Sequence, residues 1–323
     1  MPETSPSVLV IRLDGIGDAL ALTPLLAAFQ TEGVAADLVL SAGNASIFAP
    51  GAVRRVEIAP WQLRSNAPAD RSAMLAFARE MSTRDYTHVL VATEDPSGYR
   101  VARESNVARR IGFENGWGKP FKSLWVRAQL TQTVRRSAGL DARGKHEAEV
   151  LFELGRGLIR ESKPTVDLAR LRPVVLTREM PRDPRIVFQV SDKWERLGIS
   201  LDDVALAFRQ TATIATVRPI ASASERDYAA RFEAITGANV DRFDRLDEWK
   251  AAIASARAVV APDSGAVHVA GTIGTPVTAV FPGSAQFELQ TARWRPWAAP
   301  YRIVRSDNGW PYRVASAVSE SIA

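Results

Sequence analysis

Two short stretches hold residue types able to do chemistry. Asp14-Gly15-Ile16-Gly17-Asp18 places a carboxylate at each end of a glycine-spaced loop. A carboxylate within hydrogen-bond reach of a hydroxyl can remove its proton as a bond forms to the oxygen. Gly15 and Gly17 let the backbone turn sharply and leave room for a ligand close to the main chain. Asp18 falls at or near the start of the next helix, where it caps the helix, faces a ligand as a base, or does both. The loop is not a dinucleotide fingerprint, because Leu20 stands where Gly-x-Gly-x-x-Gly needs its third glycine. No Walker-type Gly-Lys-Ser/Thr is present either.

The second stretch is Ala261-Pro262-Asp263-Ser264-Gly265-Ala266-Val267-His268. Read as a strand-to-helix connection, it aims Ser264, Gly265 and the following amides at whatever lies above the helix N-terminus, a natural pyrophosphate site. His268 sits one turn in. The competing reading makes Asp263 an N-cap and His268 a core residue. Ser191-Asp192-Lys193-Trp194 offers a lysine that can neutralise a phosphate or belong to a solvated turn. In Ser222-Ala223-Ser224-Glu225, Glu225 can accept bonds from two ribose hydroxyls or form part of a capping motif. Asp241, Asp244 and Asp247 alternate with arginines and read as a solvated face. The chain has no Asp-x-Asp and no His-Glu-x-x-His, so no metal site is expected. Bound phosphates would fall to Lys193 and helix N-termini.

These loops need strands and helices to hold them. Apolar runs at 7–13, 37–41, 55–59, 88–92 and 110–113 alternate with helical patterns at 19–30, 71–81, 99–108 and 146–159, which argues for βαβ units and a parallel sheet. Pro164, Pro173, Pro181 and Pro184 mark an extended linker. The alternation then restarts, with strands expected at 185–190, 213–217, 258–261, 277–281 and 302–305. Helices are expected at 202–210, 225–236, 246–256 and 266–273. The expected fold class is α/β, with two doubly wound Rossmann-like domains facing across a cleft and ligands beyond the carboxyl ends of the strands. Residues 1–163 form the first domain, 164–184 the linker and 185–305 the second domain. Residues 306–323 form a terminal helix packing back on the first domain.

Bulk composition narrows the classes. Over 323 residues the chain is 46% hydrophobic and 24% charged, ordinary for a folded protein that buries real cores. With no cysteine, disulfides, thiolate chemistry and Cys-based zinc sites are excluded. The net charge of +5 favours anionic partners: a nucleotide diphosphate, an acidic glycolipid, a membrane surface or nucleic acid. No basic run reads as a nucleic-acid arm. The apolar run Val8–Ile11 is too short for a signal peptide, and no stretch approaches the length of a membrane span. A soluble cytoplasmic protein, peripheral at most to the inner face of a membrane and monomeric, is expected.

In combination the loops resemble a known family. The run from Val10 to Leu26, with Gly17-Asp18 ending its loop and Thr23-Pro24-Leu25 in the helix after it, is similar to the N-terminal signature of glycosyltransferase family 9, the bacterial heptosyltransferases. Asp263-Ser264-Gly265-Ala266-Val267-His268, followed by Gly274-Thr275-Pro276-Val277, resembles that family's C-terminal signature. Lys193-Trp194 and His146 also fall where its pattern expects them. The resemblance implies a GT-B fold, an acceptor-binding N-terminal domain and a C-terminal domain binding an ADP-sugar. It further implies metal-independent, inverting transfer of a heptose to a lipopolysaccharide core, without a cofactor. By matching position it makes Asp18 the base on the acceptor-side loop with Gly15 and Gly17. Lys193 becomes the pyrophosphate contact beside Ser191, Glu225 the ribose contact, and Asp263, Ser264, Gly265 and His268 the donor loop. Phe188–Asp192 and Phe281-Pro282-Gly283-Ser284 depart from the family pattern on the donor side. The alternatives are a different nucleotide sugar used for another surface glycan, and a non-catalytic nucleotide-binding homologue.

Overall fold

The computed structural model describes residues 6–136 and 144–322, which form two compact units divided after Thr165. The first unit contains strands β1 (Ser7–Arg12), β2 (Ala35–Leu40), β3 (Arg55–Ile58), β4 (His88–Val91), β5 (Arg109–Glu114) and β6 (Gln132–Arg135). Its helices are α1 (Ile16–Leu20), α2 (Thr23–Glu32), α3 (Pro68–Ser82), α4 (Pro96–Glu104), α5 (Pro120–Arg127) and α6 (Glu147–Phe152). The second unit opens with α7 (Leu168–Val175) and contains β7 (Ile186–Gln189), β8 (Val217–Ser222), β9 (Asp241–Phe243), β10 (Ala258–Pro262), β11 (Val277–Pro282) and β12 (Tyr301–Ser306). Its other helices are α8 (Lys193–Arg196), α9 (Leu201–Ala212), α10 (Arg226–Thr236), α11 (Leu246–Ser255), α12 (Gly265–Ile273), α13 (Phe287–Trp294) and α14 (Trp310–Ile322).

Both sheets are six-stranded, with orders β3-β2-β1-β4-β5-β6 and β12-β11-β10-β7-β8-β9. Every pairing is parallel, as Val8 opposite His88 and Val259 opposite Val277 illustrate. Parallel sheets need apolar residues on both faces, because helices cover both. Val8–Ile11 and Val89–Val91 have no exposed surface at all. The strand order reverses between β1 and β4 in one unit and between β7 and β10 in the other. Those are the switch points where ligands of open α/β sheets bind. In the first unit Leu9, Ile11, Val89 and Val91 share a core with Phe77, Met81 and Tyr99. The second unit's core gathers Phe188, Trp194, Phe208, Phe232 and Trp310.

Several expectations change in the structure. The single helix expected at 19–30 is two helices, because Pro24 lacks an amide donor and restarts the chain at the first turn of α2. The strand expected at 213–217 is β8 instead, reaching Ser222 and carrying Pro219 opposite Phe188. Residues 164–184 are not an extended linker throughout. Asp167 caps α7 by accepting from the Ala169 amide (2.9 Å), and α7 tolerates Pro173 while burying Leu171, Val174 and Val175. Arg172 on α7 then donates to the Ile273 carbonyl at the end of α12 (2.6 Å). The terminal helix is α14, whose Trp310, Val314, Ala317 and Val318 are buried in the core of the second unit itself, where the expectation set it against the first domain. Sequence periodicity missed β6, β9, α5 and α13. Each is short, and Asp241 in β9 pairs with Arg218 (2.6 Å) on a half-buried edge instead of lying on a fully solvated face.

One glycine sets how closely α12 packs. A Cβ on Gly271 would lie 2.9 Å from both Pro296 Cα and the Trp297 amide nitrogen. Those are backbone atoms that cannot rotate away. Gly271→Ala is expected to cost about 1–3 kcal/mol of stability, read as a lower urea midpoint with an unchanged slope.

Candidate active site

In the first unit the site grows from a buried arginine. Arg12 ends β1 with 1% of its surface exposed, so its guanidinium must be satisfied by protein groups. Its Nε donates to the Asp18 carbonyl (3.0 Å) and its Nη2 to Asp18 Oδ1 (2.9 Å). Nη1 donates to the Ala92 carbonyl just beyond β4 and lies 3.4 Å from Asp14 Oδ2. Glu147, fully buried at the start of α6, stands 3.8 Å from Nη2 and 2.6 Å from Arg136, which also pairs with Glu94 (2.6 Å). Arg12 thus joins the loop after β1, the end of β4 and α6 across the switch point.

Asp18 is not the N-cap. Gly15 holds that position in an extended conformation, and Asp18 sits three residues into the helix, accepting from the Gly15 amide. This is half of a capping box. The Asp18 side chain keeps 37% of its surface exposed. Burial raises its pKa above the ordinary aspartate value; Arg12 and the Gly15 amide oppose the rise, while Asp14 and Glu147 add to it. A helix of five residues contributes little dipole to offset this. The carboxylate is therefore a stronger base than its place at a helix start suggests. Neither Gly15 nor Gly17 has a positive φ, so the turn does not demand glycine. A Cβ at Gly15 would instead meet Asp18 Oδ2 at 3.5 Å.

In the second unit three loops meet at the carboxyl ends of the adjacent strands β10, β7 and β8. Glu225 clamps the loop after β7, accepting from Ser191 Oγ (2.8 Å) and the Asp192 amide (2.9 Å). Ser191 Oγ in turn accepts from the Lys193 amide (3.1 Å). Each Glu225 oxygen keeps a further lone pair, so the clamp leaves it able to accept again. Trp194 is no site residue: it is fully buried, bonds the Gln189 carbonyl (2.9 Å) and stacks on Trp310 (5.7 Å). Lys193 forms no ion pair among the described residues and lies close enough to influence His268.

After β10, Ser264 is the N-cap of α12 but makes no capping bond, and its Oγ is buried without a hydrogen-bond partner. His268, 9% exposed, lies 4.0 Å from Asp263 and meets the Trp294 ring edge-on at 5.5 Å. Burial first, and the Lys193 charge second, push its pKa down to about 4. It is neutral at physiological pH and can donate or accept one hydrogen bond without adding charge. Ser191, Lys193, Glu225, Asp263, Ser264, Gly265 and His268 all cluster on one edge of one sheet. An uncommitted cation, an uncapped helix N-terminus and an orphaned hydroxyl together suit a diphosphate.

Sequence reasoning missed Arg12, Glu147, Arg136 and Glu94. A charged residue ending an otherwise apolar strand was the available signal for Arg12. Glu147 follows His146, which accepts from the Ala148 amide (3.0 Å) and caps α6 in a reciprocal box with Glu149.

Residues 221–320 match the family described as glycosyltransferase family 9 (heptosyltransferase). No curated protein matches the chain in sequence. Among solved structures, the chain is similar to a family 9 glycosyl transferase from Veillonella parvula, at 12% identity over 99% of this chain and 98% of that one, TM-score 0.73. It is similar to the E. coli ADP-heptose LPS heptosyltransferase II at 16% identity over 98% of each chain, TM-score 0.71. The E. coli heptosyltransferase WaaC with ADP gives 19% identity over 97% of this chain and 98% of that one, TM-score 0.72. The fold is theirs.

The buried imidazole has a thermodynamic signature. Between about pH 6.5 and pH 4 an unfolded His268 binds a proton that the folded one refuses, so stability is full above this window and is lost as pH falls through it. The loss is about 3 kcal/mol. The difference in unfolding free energy between the parent and His268→Gln, followed from pH 7 to pH 4, should shrink by that amount.

Proposed function

We propose that this chain, whose residues 221–320 match glycosyltransferase family 9, moves a heptose or related sugar from an ADP-sugar to a hydroxyl of a lipopolysaccharide-core or similar glycan, with inversion and without a metal or cofactor. Asp18 carries the reading: a carboxylate made more basic by burial, gripped by Arg12 and still open to solvent, at the switch point of the first sheet. The acceptor oxygen attacks the anomeric carbon as the bond to the diphosphate oxygen breaks. Its proton passes to Asp18, held at a fixed angle by Arg12. The leaving diphosphate gains charge, which Lys193 and the α12 N-terminus meet more strongly in the transition state than before it. Glu225 takes the ribose hydroxyls with its remaining lone pairs, and neutral His268 with Asp263 lines the donor loop. The ADP found with WaaC supports the choice of donor.

Asp18→Asn is expected to lower transfer by about 10²–10⁴-fold, measured as ADP released from ADP-heptose with acceptor present. The ADP-sugar should still protect this variant against thermal unfolding. Normal turnover in the variant would sink the assignment. In the parent, kcat/KM should fall as pH drops through the Asp18 pKa, at a midpoint above that of an ordinary aspartate, and this limb should vanish in the residual activity of Asp18→Asn. Lys193→Ala is expected both to weaken donor binding and to slow the chemical step; unchanged donor affinity and rate would remove Lys193 from the mechanism.

A further inference from the structure

The segment between β5 and β6 carries a feature the transfer reaction does not use. Trp117 is 91% exposed, Phe121 88% and Leu124 70%, three large apolar side chains presented to water within eight residues. They are not on a slack loop. Ser123 Oγ donates to the Gly116 carbonyl (3.1 Å) and accepts from the Asn115 amide (3.2 Å), tying the turn that carries Trp117 to α5. On the opposite face of α5, Ser123 and Val126 are buried, and Trp125 meets the Tyr99 ring edge-on at 5.8 Å. The helix is anchored by one face while Phe121 and Leu124, three residues apart, point away.

Charge accompanies the apolar residues. Residues 115–135 contain Lys119, Lys122, Arg127 and Arg135 and no acidic residue. Arg127 is committed to Glu114. Lys119 and Lys122 make no ion pair among the described residues. We propose that this protrusion docks the protein on an anionic lipid bilayer, with Trp117, Phe121 and Leu124 entering the headgroup boundary and Lys119 and Lys122 meeting lipid phosphates. Aromatic side chains interleaved with lysine are the composition of interfacial anchors. A second protein is a poorer fit. Two aromatic rings and one leucine bury about 150–250 Å² per ring, short of the roughly 800 Å² per partner that a stable interface takes. Among the described residues no helix is long and apolar enough to cross a membrane, so the contact is with a surface.

The connection leaves β5 at its carboxyl end, the same edge of the sheet from which the Asp18 loop leaves β1. Docking there would bring that edge to the plane in which the headgroups of glycolipids lie. The proposal does not depend on the sugar or the reaction.

The full chain should co-sediment with phosphatidylcholine vesicles containing about 30 mol% phosphatidylglycerol and only weakly with phosphatidylcholine alone, with binding weakened by salt. Replacing Trp117, Phe121 and Leu124 together by Ala should lower vesicle affinity by about tenfold or more at unchanged Tm, and Lys119→Gln with Lys122→Gln should remove the preference for anionic vesicles. ADP release with a water-soluble acceptor should be unchanged in both variants, so failure of docking and failure of the transferase reading give different results. Equal vesicle binding by the triple variant and the parent would overturn the proposal. So would a concentration-dependent dimer that the triple variant abolishes, or no binding of the parent to anionic vesicles.

Discussion

A guanidinium out of reach of water can stay charged only if protein oxygens surround it, and Arg12 meets that demand with groups from three separate pieces of chain. The Asp18 loop, the turn after β4 and the start of α6 are where they are because Arg12 needs their oxygens. Such buried pairs are costly to desolvate and add little net stability, yet removing one partner strands the rest. Their value here is orientation. Asp18 is held by its backbone and its side chain at once, which leaves its other oxygen a defined direction. Asp14 and Glu147, sharing the same cation, weaken its hold on the Asp18 charge and add to the rise in the Asp18 pKa.

The second unit solves the opposite problem. Its loops are held by hydrogen bonds from uncharged donors, chiefly those the Glu225 carboxylate accepts from Ser191 and the Asp192 amide, so that the positive charge of Lys193 is not spent internally. The low pKa of His268 fits the same economy: a protonated imidazole beside Lys193 would compete for the same anion and repel the lysine. One unit therefore spends its cation on positioning an acid group, and the other keeps its cation in reserve for a ligand.

Much of this was legible in the amino-acid order. Buried parallel strands are apolar on both faces, so β1, β4, β7, β10 and β11 stood out, as did the loops that end β1 and β10. What stayed hidden had physical causes. Pro219 disguised β8, and the prolines around α7 suggested extended chain where a short helix packs. The residues that tune Asp18 lie on distant segments: Arg136 pairs with Glu147 and Glu94 through tertiary contacts to which local spacing is blind. A helix start by itself would weaken Asp18 as a base through the helix dipole, whereas burial raises its pKa. Glu225 could be suspected of binding a ligand, but its hold on the neighbouring loop depends on β7 and β8 being adjacent.

The shared strand order has a consequence for how the molecule forms. At each switch point the strands that meet are far apart in the chain: Val8 pairs with His88, and Ile186 with Ala258. Such nonlocal pairings are slow, because loop closure must be met before the contacts reward it. The loops bearing Asp18 and His268 leave strands joined by these nonlocal pairings, so each half has its chemistry only once those pairings have formed. An incompletely folded chain would hold neither a poised carboxylate nor an anion cradle, and so would be silent toward its substrates until its central strands had closed.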